Sequence, residues 1–447
     1  MRNSKGKTRN LHKTKKTKKI YKIYKKGGKA IDAGSYGCVF DPALKCSDKN
    51  ISYNPEFVSK LMYVKDAQVE FNELNNVRQY VEKIKDNDKY FILSNTTICN
   101  PDKLQGDDLV SFDDKCRLFT KRNLNSSNIN ENLSKLKLIN LPNGGLNIEK
   151  IWENMLNDVN INNSFIKINN ALISLLVNGI VPLNKLGFNH YDVKAGNILI
   201  ASDGNARLID WGLAGANNGS TIPETITDRS IAFNMPFSDI FFNKFIKKWL
   251  PTEMARIKAS PSLFDKNAGQ KELLKVVAVN LINNSLNLTS EGHYDYVINS
   301  ILHDMYKIYA SSSGYNLLDY NVLSYNVLIE YIQAVLLAFV DENGNFNDIN
   351  YFYQVFTHNA DIWGLLISYA FTIEEGTNRL HSDIINGICR ILIKYCFSPE
   401  FATKPIVVND LAAELQSLNN IALNQSAKSK FNKYISNNNK KNKSIYI

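Results

Sequence analysis

Apolar and polar positions change rhythm part-way along the chain. Up to about residue 141 the apolar runs are short and bounded by turn residues. They predict strands at Ala33–Phe40, Phe57–Tyr63, Tyr90–Ile98 and Leu136–Leu141, the last running into the turn Pro142-Asn143-Gly144-Gly145. One helix interrupts them. Over Asp66–Lys85, Val69, Phe71, Leu74, Val77, Tyr80, Val81 and Ile84 recur near helical spacing. Pro101–Glu131 is polar and aperiodic and reads as a long surface loop. Beyond Gly145 the pattern is mostly helical, as in Phe165–Val177, Tyr325–Val340 and Asp361–Phe371. A strand-rich front and a helical back predict an α+β protein with two unlike lobes.

The 447 residues suffice for two or three folding units with a large core, so disulfides and metals are not needed to hold them together. With 44% hydrophobic and 21% charged residues, wholesale disorder, collagen and a small cysteine scaffold are excluded. The net charge of +10 is unevenly placed. Residues 1–29 hold 13 Lys or Arg and no acid, and residues 415–447 hold 6 Lys and no acid. That leaves 34 positive residues against all 43 acids in an acidic body. Residues 1–29 read as a disordered basic arm and 426–447 as a basic flexible tail. The arm's Lys15-Lys16-Thr17-Lys18-Lys19 and Lys25-Lys26 suit non-specific contact with nucleic acid or another anionic surface, and Tyr21 and Tyr24 could stack on bases. A solubilising or import role fits equally.

No transmembrane segment is expected. The most apolar stretch, Ala171–Leu183, is broken by Asn178, Gly179 and Pro182, and no apolar region follows the N-terminal charges. The six cysteines form no C-x-x-C pair and have no histidine at ligand spacing. Reduced thiols in a cytosol-like compartment are therefore the default.

The chemistry concentrates in Gly187-Phe-Asn-His190-Tyr-Asp192-Val-Lys194-Ala-Gly-Asn197-Ile-Leu-Ile, followed 13 residues after the Asn by Asp210-Trp-Gly212. Two apolar runs, Ile198–Ile200 and Ala206–Ile209, flank the turn Ser202-Asp203-Gly204-Asn205. A hairpin there would deliver Asn197 and Asp210 to one place. These motifs resemble the catalytic loop H-R-D-x-K-x-x-N and the D-F-G motif of the eukaryotic-type protein kinase superfamily. The resemblance implies a bilobal kinase-like fold, with a small strand-rich N-lobe and a large mainly helical C-lobe. It implies Asp192 as the base for the substrate hydroxyl and Lys194 as a cation near the transferring group. Asn197 and Asp210 would hold Mg²⁺ together with ATP phosphates, Mn²⁺ being the alternative ion. His190 would be structural.

Further motifs follow from the resemblance. Asp32-Ala-Gly34-Ser35-Tyr36-Gly37-Cys-Val39 resembles the second half of a glycine-rich loop, with Gly34 and Gly37 allowing close approach to the phosphates and Val39 covering adenine. Lys60, in Phe57-Val-Ser-Lys60-Leu, would pair with the α- and β-phosphates and with Glu70 of the next helix. Lys137–Pro142 resembles the strand and hinge that hold adenine, with the Asn140 carbonyl as acceptor. Pro142 has no N–H for the next contact, so either Leu141 is the donor or that bond is absent. His358-Asn-Ala-Asp361-Ile-Trp363-Gly364 resembles a D-x-W-[SG] helix, whose aspartate accepts backbone N–H bonds from the catalytic loop.

The implied organisation is an N-lobe over 30–141 and a C-lobe over 142–425, with a helical insertion at about 240–355 accounting for the 169-residue gap from Asp192 to Asp361. Three departures matter. Tyr191 replaces the arginine that usually receives an activation-loop phosphate, so phosphorylation there is not the expected switch. Trp211 replaces the Phe of D-F-G. Ala232-Phe-Asn234-Met-Pro236-Phe237 stands where A-P-E is expected, without its glutamate. Lys194 favours Ser/Thr hydroxyls of protein substrates. In style the chain is similar to the divergent kinases of large nucleocytoplasmic DNA viruses, implying a cytoplasmic or virion setting. The rival expectations are a pseudokinase or nucleotide-binding docking module, a small-molecule kinase and a nucleic-acid-binding structural protein.

Overall fold

The computed structural model describes residues 28–33, 37–227, 229–260, 269–285, 296–313, 320–341 and 343–443. Most of the basic arm, Gly34, Ser35 and Tyr36 lie outside them. The chain divides into two compact units. One comprises the residues up to Tyr63 with Cys99–Asn140, and the other Val64–Ile98 with Leu141 onward. The chain leaves the first unit for good after Asn140, and the first long helix clusters with the second unit.

The first unit is built on an antiparallel sheet. Its strands are β1 (Lys29–Ala33), β2 (Gly37–Asp41), β3 (Phe57–Tyr63), β4 (Thr97–Cys99) and β5 (Leu136–Pro142), in the order β1-β2-β3-β5-β4. Alternation along β2 and β3 sends Cys38, Phe40 and Leu61 into the core, each fully buried. Pro101–Glu131 is not the surface loop its polarity suggested. It folds into the short helical turns Asp107–Val110, Phe112–Lys115 and Arg117–Thr120, and inserts Leu104, Phe112, Phe119, Leu124 and Ile129 into the same core. The apolar residues there are spaced too irregularly to show a period. Phe112 and Phe119 stack on each other within that core.

Disulfides join Cys38 to Cys116 and Cys46 to Cys99. The expectation of reduced thiols therefore fails for four of the six cysteines. Only Cys389 and Cys396 are free, and both are buried. The sequence concealed the pairing because the partners lie 78 and 53 residues apart.

The second unit is mainly helical. Its first helix, α1 (Val64–Val81), buries Ala67, Leu74, Val77 and Val81. The strand expected over Tyr90–Ile98 is largely absent. Tyr90–Leu93 is buried but forms only an isolated bridge, Phe91 to Leu208, before Asn95 turns the chain at φ +58°. A three-stranded sheet follows, with β6 (Leu146–Asn147) pairing β8 (Ile198–Ile200), and β8 pairing β9 (Ala206–Leu208). Strand β7 (Phe188–Asn189) pairs β10 (Gly215–Ala216).

Between β6 and β7 run α2 (Ile148–Leu156) and α3 (Ile161–Leu175), the latter continued by a π turn and Val181–Lys185. The stretch Ile161–Lys185 is one continuous helix, long and apolar enough to cross a membrane by length and composition. Pro182 lies inside this continuous helix, directly after the π turn, and withholds one backbone N–H from the helical ladder. The helix is half-buried within the unit, and its polar Asn169 is satisfied by the Leu415 carbonyl, Asn419 and Tyr369. That pattern is that of a core helix.

The remaining helices include α4 (Lys244–Ala259), α5 (Gly269–Ser285), α6 (His303–Ser313), α7 (Tyr320–Phe339), α8 (Thr357–Ile367), α9 (Ser382–Tyr395) and α10 (Val408–Lys443). Helix α10 packs on α3 and α9. Its backbone stays helical to Lys443, where a flexible tail from 426 was expected. No Gly or Pro interrupts Val408–Lys443, so nothing local stops the helix.

Candidate active site

The site is assembled on the β8–β9 hairpin and the turn before it. The hairpin expected from the apolar runs forms, with Ile198 opposite Leu208 and Ile200 opposite Ala206. The ladder continues one residue further, where the Ile209 N–H donates to the Asn197 carbonyl at 3.1 Å. Asn197 and Asp210 therefore enter and leave the hairpin side by side. Asp210 has φ +65°, an uncommon backbone for a non-glycine residue, and its side chain is exposed.

The turn carrying Asp192 is held from behind. Asp361, on α8, accepts the His190 N–H at 2.9 Å and the Asn189 side-chain amide at 3.1 Å on Oδ2, and the Tyr191 N–H at 2.8 Å on Oδ1. Its complete burial raises its pKa, opposed by nearby His190 and by these N–H donors. Gly364 lies one turn along the same helix. A Cβ there would stand 2.1 Å from the Val193 carbonyl oxygen, so only glycine permits this approach. Gly364→Ala is expected to displace the turn and to cost about 1–3 kcal/mol, read as a lowered denaturation midpoint.

His190 is fully buried, bonds the Ile209 carbonyl through Nε2 at 3.0 Å and packs at a tilt against Trp211 with centroids 4.6 Å apart. It thus braces the residue preceding Asp210. Trp211 also packs on Phe91, filling the apolar anchor position after the aspartate.

Asp192 is nearly buried and meets donors on both oxygens. Oδ2 takes Lys194 Nζ at 2.8 Å and Asn197 Nδ2 at 3.0 Å, and Oδ1 takes Asn234 Nδ2 at 3.0 Å. Asn197 Nδ2 also donates to the Asp192 carbonyl at 2.9 Å, leaving Oδ1 as the atom available to a cation. With the Asp210 carboxylate this gives two hard oxygen donors. Among the described residues no three His, Cys, Asp or Glu side chains form a metal cluster. An ion here would complete its shell with water and phosphate oxygens, which is how Mg²⁺ is commonly bound.

Two of these contacts were invisible in sequence. Asn234 also donates to the Val193 carbonyl at 3.1 Å, and Arg229 bonds the Tyr191 carbonyl with Nη1 at 2.5 Å. Arg229 lies in an aperiodic stretch with no motif around it, and Asn234 lies in the segment standing where A-P-E is expected, which assigned it no role. The neighbouring Phe233 carbonyl accepts from Trp363 Nε1 at 3.3 Å, and Phe237 packs edge-on against the Trp363 ring. The segment replacing A-P-E is thereby fastened to both the Asp192 turn and α8.

Asp239, in the same segment, is buried, and neither carboxylate oxygen has a hydrogen-bond partner among the described residues. Burial pushes it up to about 6, with Arg229 pulling the other way. Because the folded form holds this proton more tightly, its stabilising effect is full below about pH 4 and is lost as pH rises through about 6. Asp239→Asn is expected to remove that downward slope, an effect on the order of 2–3 kcal/mol by pH 8, measured by denaturant unfolding across pH.

In the first unit, Val39 lies directly opposite Lys60 across β2–β3, so both side chains share one sheet face, away from Cys38 and Leu61. Gly37 has a reason of its own. A Cβ there would lie 2.8 Å from the Leu61 carbonyl oxygen and 2.7 Å from Met62. Its lack of a side chain thus serves the strand contact, whatever it does for phosphates. Asn140 uses its side chain internally: Oδ1 accepts from Ser59 Oγ at 2.5 Å, and Nδ2 reaches Cys46 Sγ at 3.2 Å. Leu141 follows it on β5, and Glu70 sits half-buried on α1.

Comparison of the chain with protein-family models and with curated proteins finds no match.

Proposed function

We propose that the protein is a serine/threonine protein kinase with a bilobal kinase-like fold. It would transfer the γ-phosphate of ATP to protein hydroxyls. The observation that carries this reading is the hairpin that sets Asn197 beside Asp210 while Asn197 also bonds Asp192. A base and two oxygen donors are thereby gathered in one spot, which is what phosphoryl transfer asks of a protein.

In this mechanism Asp192 accepts the substrate hydroxyl proton and aims that oxygen. Lys194, on the open side of Asp192, neutralises charge on the transferring group. Asn197 Oδ1 and the Asp210 carboxylate would hold Mg²⁺, which supplies charge neutralisation on the phosphates. Asp361 keeps the turn in shape through its three N–H contacts. The shared face of Val39 and Lys60 supports their assignment to adenine and phosphates. Of the two settings named from sequence, the virion suits the paired cysteines better than a reducing cytosol.

The test is incubation of the full chain with γ-labelled ATP, Mg²⁺ and a generic protein substrate. Label on Ser or Thr supports the reading. ATP binding without transfer would favour a docking module, and label only on small alcohols would favour a small-molecule kinase.

A further inference from the structure

The Asp192 carboxylate has a fourth neighbour that no motif announces. Arg229 Nη2 lies 4.0 Å from Asp192 Oδ1, and only 9% of the arginine side chain is exposed. Its other arm is committed to the Tyr191 carbonyl. Tyr191 has φ +56°, a left-handed conformation that a bulky residue rarely adopts, so its carbonyl direction needs an external hold. Arg229 also acts electrostatically on the buried Asp239, whose carboxylate oxygens have no hydrogen-bond partner among the described residues.

We propose that Arg229 is a positioning residue for Asp192, a buried cation that keeps the carboxylate aimed once Lys194 turns to the phosphate. This rests on the phosphotransferase reading of the site. The reasoning is one of competing partners. Lys194 is 36% exposed on its side chain and is the mobile cation of the pair. When phosphate engages it, Oδ2 of Asp192 loses its charged donor. Arg229 is tied to protein atoms alone, so its hold on the Oδ1 edge does not change with the nucleotide. A cation with little solvent around it also acts more strongly than one in water. Asn234 adds a neutral donor on the same edge. Together they make the segment after Asp210 a fixed wall of the site, ordered by its own side chains and needing no added phosphate.

The experiment compares Arg229→Met and Arg229→Lys with the parent full-length chain in the transfer assay. Arg229→Met is expected to lower kcat at least about tenfold with KM for ATP within about twofold. Arg229→Lys, restoring the charge, should recover most of the rate. A purely structural role would instead lower the yield of folded protein and leave kcat per folded molecule unchanged. Parental kcat in Arg229→Met, or equal losses in both variants, overturns the proposal. Hydrogen exchange gives a readout without turnover. The amides of residues 191–193 should exchange at least about tenfold faster in Arg229→Met, while β8 and β9 keep their protection. Unchanged exchange in that turn also overturns it. A parent chain that transfers no phosphate would sink the kinase reading instead, leaving the exchange result to decide the role of Arg229.

Discussion

Asp192→Asn is expected to reduce phosphoryl transfer by about 10²–10⁴-fold while nucleotide binding persists. The substitution is nearly isosteric, so the turn should survive. Asp361 holds that turn through the backbone of His190 and Tyr191, and neither contact involves the Asp192 side chain. Asn197 can still donate to the Asp192 carbonyl. What disappears is a carboxylate able to take the hydroxyl proton and the charge that fixes Lys194 at 2.8 Å. Single-turnover transfer with labelled ATP, set beside equilibrium binding of a fluorescent nucleotide, separates the two effects. Retention of the parental transfer rate would remove Asp192 from the chemistry and, with it, the proposed mechanism.

The second large effect concerns the cysteines. Replacing Cys38 and Cys116 by Ser should cost the first unit about 4 kcal/mol, and the Cys46–Cys99 pair about as much, by the chain-entropy relation for loops of 78 and 53 residues. The first bridge ties β2 to the Phe112–Lys115 region, and the second sits against Asn140. Dithiothreitol should therefore loosen the sheet that carries Val39 and Lys60. Trp152, Trp211, Trp249 and Trp363 all lie in the second unit, so their fluorescence reports that unit alone. The expected signature is loss of amide protection in β1–β3 with little movement of the tryptophan-detected transition. Equal protection in reduced and oxidised protein would deny the bridges an energetic role.

The part of the site written in contiguous residues was legible. The hairpin could be read because its apolar runs and its Ser202–Asn205 turn are local signals. Asp361 and Gly364 could be read because their helix carries its own pattern. Val39 and Lys60 fell on one face because strand alternation is rigid. What the sequence hid depends on distant partners. Arg229 and Asn234 act only because folding carries their segment back to Asp192. The core role of Pro101–Glu131 was masked because isolated apolar residues between short turns show no period. The thiol pairing has no local trace at all.

The two donor-bearing ends of the β8–β9 hairpin are separated by a ladder only three residues deep on each side. Their proximity is thus set by strand register, and the turn residues merely close the circuit. Closing a longer circuit adds only about 0.6 kcal/mol for each doubling of its length. A search of genomes for undiscovered cousins should therefore lock the spacing within each arm and let the gap between arms float. The tip at Gly204 is equally where a spectroscopic tag or an affinity peptide could be spliced without disturbing the register that sets Asn197 beside Asp210.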